Sequence, residues 1–156
     1  MKRRRWADPP ASFLPATGKV RVRFQEVDGL HIVWHGHYVT YLEEGRQAFG
    51  DRYQLSYQDV RAEGYAIPLV HVELDYLAPA TYDQRLTVEA RLHPEQAARL
   101  TFTYDIFGPD LKRLASGLTI QAFTDLDTGE LALTRPAFYE RWLERWRGEL
   151  VGGEDS

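Results

Sequence analysis

The stretch GHYVTYLEEGRQAFGDRY, residues 36–53, decides how the rest of the chain reads. Tyr38, Tyr41, Leu42, Gly45, Ala48, Phe49 and Tyr53 fall at steps of three and four, with Glu43, Glu44, Arg46 and Gln47 interleaved. That is the period of an amphipathic helix. A stripe so broad and aromatic predicts a helix lying against a sheet, with Gly45 marking a close backbone approach. The interleaved charges predict a solvated opposite face, where Glu43 pairs with Arg46 or Gln47.

Upstream, KVRVRFQEV (19–27) alternates Val20, Val22 and Phe24 with Arg21, Arg23 and Gln25, the signature of a strand with one buried face. Residues 1–18, rich in proline, read as a flexible lead-in, so the fold is expected to begin near Lys19. Downstream, YQDVRAEG reads as one helical turn. Four strands follow in AIPLVHVELDYLA, QRLTVEARL, RLTFTYDIFG and RLASGLTIQAFTD. The breaks between them, APATYD, HPEQAA and GPDLK, are too short for parallel crossovers, so these strands are antiparallel neighbours. DLDTGELA is a further turn, and RPAFYERWLERW places Phe138, Trp142, Leu143 and Trp146 on one stripe of a terminal helix that starts at Pro136. The layout is α+β: an antiparallel sheet of about five strands, one long helix and a C-terminal helix. It forms a single domain over residues 19–150, with 151–156 as a flexible tail.

A chain of 156 residues buries enough apolar surface to fold without a disulfide or a structural metal. It has no cysteine, which excludes thiolate chemistry. The basic start MKRRRW runs into ADPPASFLPATG rather than an apolar run, and no span approaches the ~20 apolar residues of a membrane helix, so a cytoplasmic protein with no membrane partner is expected. Net charge is −4, and without Lys2, Arg3, Arg4 and Arg5 it is −8. A body that acidic is a poor partner for nucleic acid, and the basic run reads as a solvated tail.

One loop concentrates the chemistry. DGLHIVWHGHY (28–38) holds Asp28, His31, His35 and His37, which is open to three readings: metal site, acid/base site or polar loop. His35 and His37 have strand spacing while His31 and His35 have helix spacing, so no regular element aligns all three, and HExxH is absent. No serine sits in a GxSxG elbow, and no phosphate-cradling glycine loop occurs. Asp28 can cap backbone amides. It nevertheless lies some eight residues before the helix, which suits a carboxylate held on a loop facing the helix's free N–H groups. Such groups also stabilise the negative charge that a carbonyl oxygen gains under attack. Glu43, Glu73 and Asp75 are the other carboxylates of interest, and helix pairing or a solvent-facing strand accounts for them.

The segment RVRFQEVDGLHIVWHGHYVTYLEEGR resembles the first strand, active-site loop and helix start of the hot-dog-fold acyl-CoA thioesterases, in particular the 4-hydroxybenzoyl-CoA thioesterase and YbgC-like group. The matching residues are Asp28, His35 seven positions later, Tyr38, Glu43 and Arg46. YLAPATYDQRL supplies a second, supporting match through Tyr76, Ala78, Pro79 and Asp83. The resemblance implies a hot-dog fold in which the sheet wraps the long helix, and hydrolysis of an acyl-CoA thioester to free acid and coenzyme A. Asp28 would be nucleophile or general base, and the His35 backbone N–H would hold the thioester oxygen. His31, Val33, Trp34, Tyr38 and Arg99 would contact substrate. Arg91, Arg99, Lys112 and Arg113 are the candidate cations for the coenzyme A phosphates. No cofactor or metal is implied, and a homodimer or homotetramer is. Many members have Gly three residues after the Asp. Here His31 stands there and Gly29 follows Asp28 directly, which implies an altered loop path, a narrowed acyl pocket or an added polar contact. The rival readings are a hot-dog dehydratase acting on 3-hydroxyacyl thioesters and a non-catalytic acyl-CoA binding or sensing domain.

Overall fold

The computed structural model describes residues 8–152; the basic run Lys2–Arg5 and the last four residues lie outside them. In chain order the elements are β1 (Leu14–Arg21), α1 (His37–Tyr53), α2 (Tyr57–Ala62), β2 (Tyr65–Ala66), β3 (Leu69–Tyr76), β4 (Arg85–Leu92), β5 (Arg99–Phe107), β6 (Arg113–Ala122), β7 (Thr124–Asp125) and α3 (Ala137–Trp146). Five strands form one antiparallel sheet in the order β1-β4-β5-β6-β3, and β2 pairs with β7 apart from it. The 17-residue α1 lies across β1 and β4, so the long helix is wrapped by the sheet as the hot-dog reading requires. Among the described residues no helix is long and apolar enough to cross a membrane.

The aromatic stripe faces the sheet. Phe49 meets Phe102 edge to face at 5.0 Å, an arrangement that adds to simple area burial. A Cβ on Gly45 would stand 2.6 Å from the Val88 side chain, so helix and strand approach as closely as a glycine allows. α3 closes the end of this core, with Trp142 donating its indole N–H to the Tyr53 carbonyl at 2.8 Å.

Three expectations need correction. The first strand opens at Leu14, five residues before Lys19, because Leu14 and Ala16 are buried partners of Leu92 and Ala90 on β4. Pro15 and Gly18 are tolerated there because β1 is an edge strand. The same strand stops at Arg21, and Phe24–Glu26 turn into a 3₁₀ helix that leaves Phe24 exposed. The Glu26 carboxylate closes that turn: it accepts from the Arg23 N–H at 2.7 Å and from the Tyr41 hydroxyl at 3.1 Å. Burial and the Glu26 charge push the Tyr41 hydroxyl up, so it remains a donor. Third, Arg46 does not lie on the solvated face. It is four residues from Leu42 and three from Phe49, within the apolar stripe, and it is buried. Glu43 instead accepts from the Tyr57 hydroxyl at 2.8 Å.

At the other edge of the sheet, Leu69, Val70, Val72 and Tyr76 of β3 are exposed. Val72, Leu74 and Tyr76 pair with Thr119, Gly117 and Ala115, on the face that carries the helix. Leu74 packs against the core, whereas Val72 and Tyr76 stay exposed.

Candidate active site

Asp28 heads a tight turn between the 3₁₀ helix and α1. Its N–H donates to the Ile32 carbonyl at 2.9 Å and its own carbonyl accepts from the His31 N–H at 2.9 Å. The side chain folds into the same turn, with Oδ1 accepting from the Leu30 N–H at 2.8 Å, the local pattern that makes Asp a turn residue. The second oxygen, Oδ2, has no hydrogen-bond partner among the described residues. One carboxylate oxygen is held by backbone and the other is unpaired.

The rest of the loop is pinned to the segment before β4. Ile32 bridges Thr81, the Val33 N–H donates to the Ala80 carbonyl at 2.9 Å, and the Trp34 N–H donates to the Glu26 carbonyl at 2.9 Å. Two tyrosines then fix the start of α1. The Tyr38 hydroxyl accepts from the Ala80 N–H at 3.2 Å, and the Tyr76 hydroxyl donates to the His35 carbonyl at 2.8 Å, with the two rings edge to face at 5.1 Å. Burial raises the pKa of Tyr38. Within this frame the Trp34 and His37 amides are used, whereas the His35 and Gly36 amides donate no hydrogen bond among the described residues. Unpaired N–H groups at a helix start are oriented dipoles for a developing negative charge.

His35 is exposed and lies against the Trp34 ring at 4.7 Å; His37 is the first residue of α1 and meets the same ring edge-on at 5.6 Å. That ring also explains Gly36, where a Cβ would come 2.0 Å from it. His31 adopts φ of 64°, the left-handed region where glycine is the default. The chain thus keeps a glycine-type backbone three residues after the Asp and hangs an exposed imidazole on it. Among the described residues no three His, Asp or Glu side chains gather as metal ligands would.

The structure brings Asp28, His31, Trp34, His35 and Tyr38 to one loop and helix start. Val33 is there too but only 3% exposed, a core residue beneath the loop. Arg99 is elsewhere. It opens β5 at the far end from Phe107, eight residues or roughly 26 Å along the strand, and it grips Glu95 at 2.6 and 3.2 Å. Sequence reasoning singled out Tyr76 only through the second motif and missed the anchor at Ala80; neither carries a charge or a spacing that marks it. Three hollows among the described residues, of about 420, 410 and 700 Å³, are lined by neither Asp28 nor His35. The loop lies open beside the bare end of β3.

A family model described as the thioesterase-like superfamily matches residues 22–143. Among curated relatives, YneP of Bacillus subtilis is 26% identical over 91 residues, 58% of this chain and 66% of that one. The acyl-CoA thioester hydrolase YbgC of Escherichia coli is 29% identical over 87 residues, 56% of this chain and 65% of that one. The matched stretch is therefore just under two thirds of each relative's length. Among solved structures, a hypothetical protein from Thermus thermophilus superposes with a TM-score of 0.75 at 29% identity, over 83% of this chain and 98% of that one.

Proposed function

The chain belongs to the thioesterase-like superfamily, and from that premise we propose that it hydrolyses an acyl-CoA thioester to a free acid and coenzyme A at the Asp28 loop. The observation that carries this reading is a carboxylate with Oδ1 tied to the Leu30 amide and Oδ2 unpaired, seven residues before the unpaired His35 amide at the start of α1. The similarity to YbgC, an acyl-CoA thioester hydrolase, supports the substrate class.

In the proposed reaction the thioester carbonyl oxygen rests on the His35 N–H, which stabilises the charge it gains as the carbon is attacked. Asp28 Oδ2 either attacks that carbon, giving a mixed anhydride that water then opens, or takes a proton from the attacking water. In both routes the C–S bond breaks and the sulfur leaves as the coenzyme A thiolate. A thioester is activated already, so one carboxylate and oriented amides suffice, without a cofactor. The dehydratase reading has less support, since no imidazole hydrogen-bonds Asp28 among the described residues.

The open loop points to a second copy of the chain as the missing wall. The β3 edge offers unpaired backbone and exposed Leu69, Val70, Val72 and Tyr76, a combination that isolated proteins avoid. A homodimer joined along β3 would cover that row and enclose the acyl group beside Tyr38 and Tyr76. The lack of cysteine fits a cytoplasmic setting.

A thiol-release assay on acyl-CoA esters of graded length and aromaticity tests the reading. Asp28→Asn should cut kcat by about 10³-fold or more, the scale of losing a nucleophile or base, and leave the far-ultraviolet spectrum unchanged. Wild-type release at the rate of the Asn variant would overturn it. Equilibrium sedimentation tests the dimer, which Val72→Lys should split.

A further inference from the structure

The cations first expected to hold the coenzyme A phosphates are mostly engaged elsewhere. Arg91 binds Glu89 at 3.0 Å and Asp105 at 2.7 Å, Arg113 reaches Asp105 at 3.5 Å, and Arg99 is forked onto Glu95. A different set converges where β1, β4 and the β5–β6 turn meet. A hollow of about 700 Å³ is lined by Lys19 and Arg21 of β1, Arg85 and Thr87 of β4, and the β5–β6 turn at Gly108, Pro109 and Leu111. No carboxylate lines it.

Two features of this hollow lack a reason within the protomer. Arg21 and Arg85 stand directly opposite in the β1–β4 register, where like charges destabilise a pair of strands. Asp83 answers Arg21 at 2.5 Å, but Arg85 has no partner among the described residues. At the rim, Leu111 sits at φ of 64° with its side chain 78% exposed, next to Pro109. A patch with cations on the floor and apolar groups at the lip has the chemistry of a phosphorylated nucleotide: phosphates for Lys19, Arg21 and Arg85, and a flat base for Leu111 and Pro109.

We propose that this hollow binds a nucleotide bearing two phosphate groups, with Arg21 and Arg85 sharing its anionic oxygens. An anion between the two guanidinium groups converts their repulsion into joint attraction. The nucleotide has two possible sources: the 3′-phosphoadenosine diphosphate portion of a bound acyl-CoA, or a free nucleotide. Assignment to coenzyme A rests on the proposed thioester hydrolysis; binding itself does not. Seven residues of chain, at most ~25 Å, separate Arg21 from Asp28, a span comparable with an extended phosphopantetheine arm.

Calorimetric titration with adenosine 3′,5′-bisphosphate tests the site without any catalytic readout. Wild-type protein should bind it, and Arg21→Gln/Arg85→Gln, two exposed positions, should bind it at least ~10-fold more weakly, with a thermal midpoint that shows the variant folded. No binding by the wild type, or equal affinity in the folded variant, overturns the proposal. If the double variant fails to fold, Arg85→Gln alone is titrated against the same expectation. Kinetics then separate the sources, either of which retains the site. If the bisphosphate raises the KM for acyl-CoA and leaves kcat alone, the occupant is the substrate's own nucleotide. If it lowers kcat, the ligand is a free nucleotide. Absence of acyl-CoA turnover would sink the proposed function and leave the titration to judge the site by itself.

Discussion

The backbone N–H of His31 donates to the Asp28 carbonyl at 2.9 Å, and the turn it closes holds His31 at φ of 64°. The conformation of one residue therefore sets where the carboxylate of another points, because the Leu30 amide that holds Oδ1 lies inside the same turn. A non-glycine residue in the left-handed region costs about 1 kcal/mol. His31→Gly removes that strain, partly offset by the greater freedom of glycine in the unfolded chain, so it should change stability by no more than ~1 kcal/mol in either direction. His31→Val, β-branched where φ is positive, should lose about 1–2 kcal/mol. Urea denaturation of the three proteins reads the order Gly at or above His, and Val lowest; equal midpoints for His and Val would mean that the turn relaxes.

Tyr76 tests whether the helix start is held for catalysis. Its hydroxyl reaches across 41 positions to the His35 carbonyl at 2.8 Å and so fixes the peptide next to the unpaired His35 amide. Tyr76→Phe keeps the ring contact with Tyr38 and removes only that bond. Stability should fall by less than ~1 kcal/mol, since the group is exposed. The kcat for acyl-CoA should drop about 3- to 10-fold with little change in KM, the signature of an interaction felt mainly in the transition state. A rise in KM alone would assign Tyr76 to substrate binding instead.

What could be read from the sequence had a periodic cause, and what could not had a long-range one. The stripe of α1, the glycine at the Val88 contact and the four later strands each follow from burying one face, and burial leaves its period in the chain. The end of β1 broke that logic, because the alternation from Val20 to Phe24 continues on paper while Glu26 folds the backbone back through a side-chain hydrogen bond. Arg46 looked like surface because it is charged, yet its position was core all along. Its acceptors, the Leu55 carbonyl and the Gln121 side chain, lie 9 and 75 residues away. The site divides likewise: Asp28 and His35 stood out by residue type and spacing, while the pins at Ala80 and Tyr76 are tertiary.

That buried guanidinium supports a third prediction. Arg46 Nε donates to Gln121 Oε1 at 3.0 Å and Nη2 to the Leu55 carbonyl at 2.9 Å, and the group lies between the rings of Tyr57 and Phe102 at 5.0 and 4.9 Å. No carboxylate pairs with it directly, Nη1 has no partner among the described residues, and burial pushes its pKa down. Arg46→Ala should cost about 3–5 kcal/mol, since it opens a cavity and strands two acceptors. Arg46→Met fills the space and removes the desolvated charge, and should recover at least half of that loss, as buried charges often do when replaced by apolar residues of similar volume. Similar losses in both variants would show that the hydrogen bonds, rather than the volume, hold α1 to β6.

His93 ties the N-terminal segment to the sheet and makes that tie sensitive to pH. Its ring is buried, Nδ1 lies 2.7 Å from the Pro10 carbonyl and Nε2 2.7 Å from the Thr103 hydroxyl. A carbonyl only accepts, so the neutral ring carries its proton on Nδ1 and Nε2 accepts from Thr103. Burial holds the His93 pKa below its usual 6.5, outweighing the Pro10 carbonyl, which favours the charged ring. In the unfolded chain the same imidazole titrates near 6.5. Stability from this group is therefore complete above pH ~6.5 and is lost as the pH falls from there towards the lower folded value, where the unfolded state binds the extra proton, at up to about 1.4 kcal/mol per pH unit. His93→Gln can still donate to Pro10 and does not titrate, so its stability should be flatter over that window. Urea midpoints at pH 8, 7, 6 and 5.5 for both proteins provide the measurement. The wild-type minus variant difference should be constant at the two higher values and shrink at the lower two; a constant difference throughout would show that the ring protonates without cost and that Pro10 is not held by its neutral form.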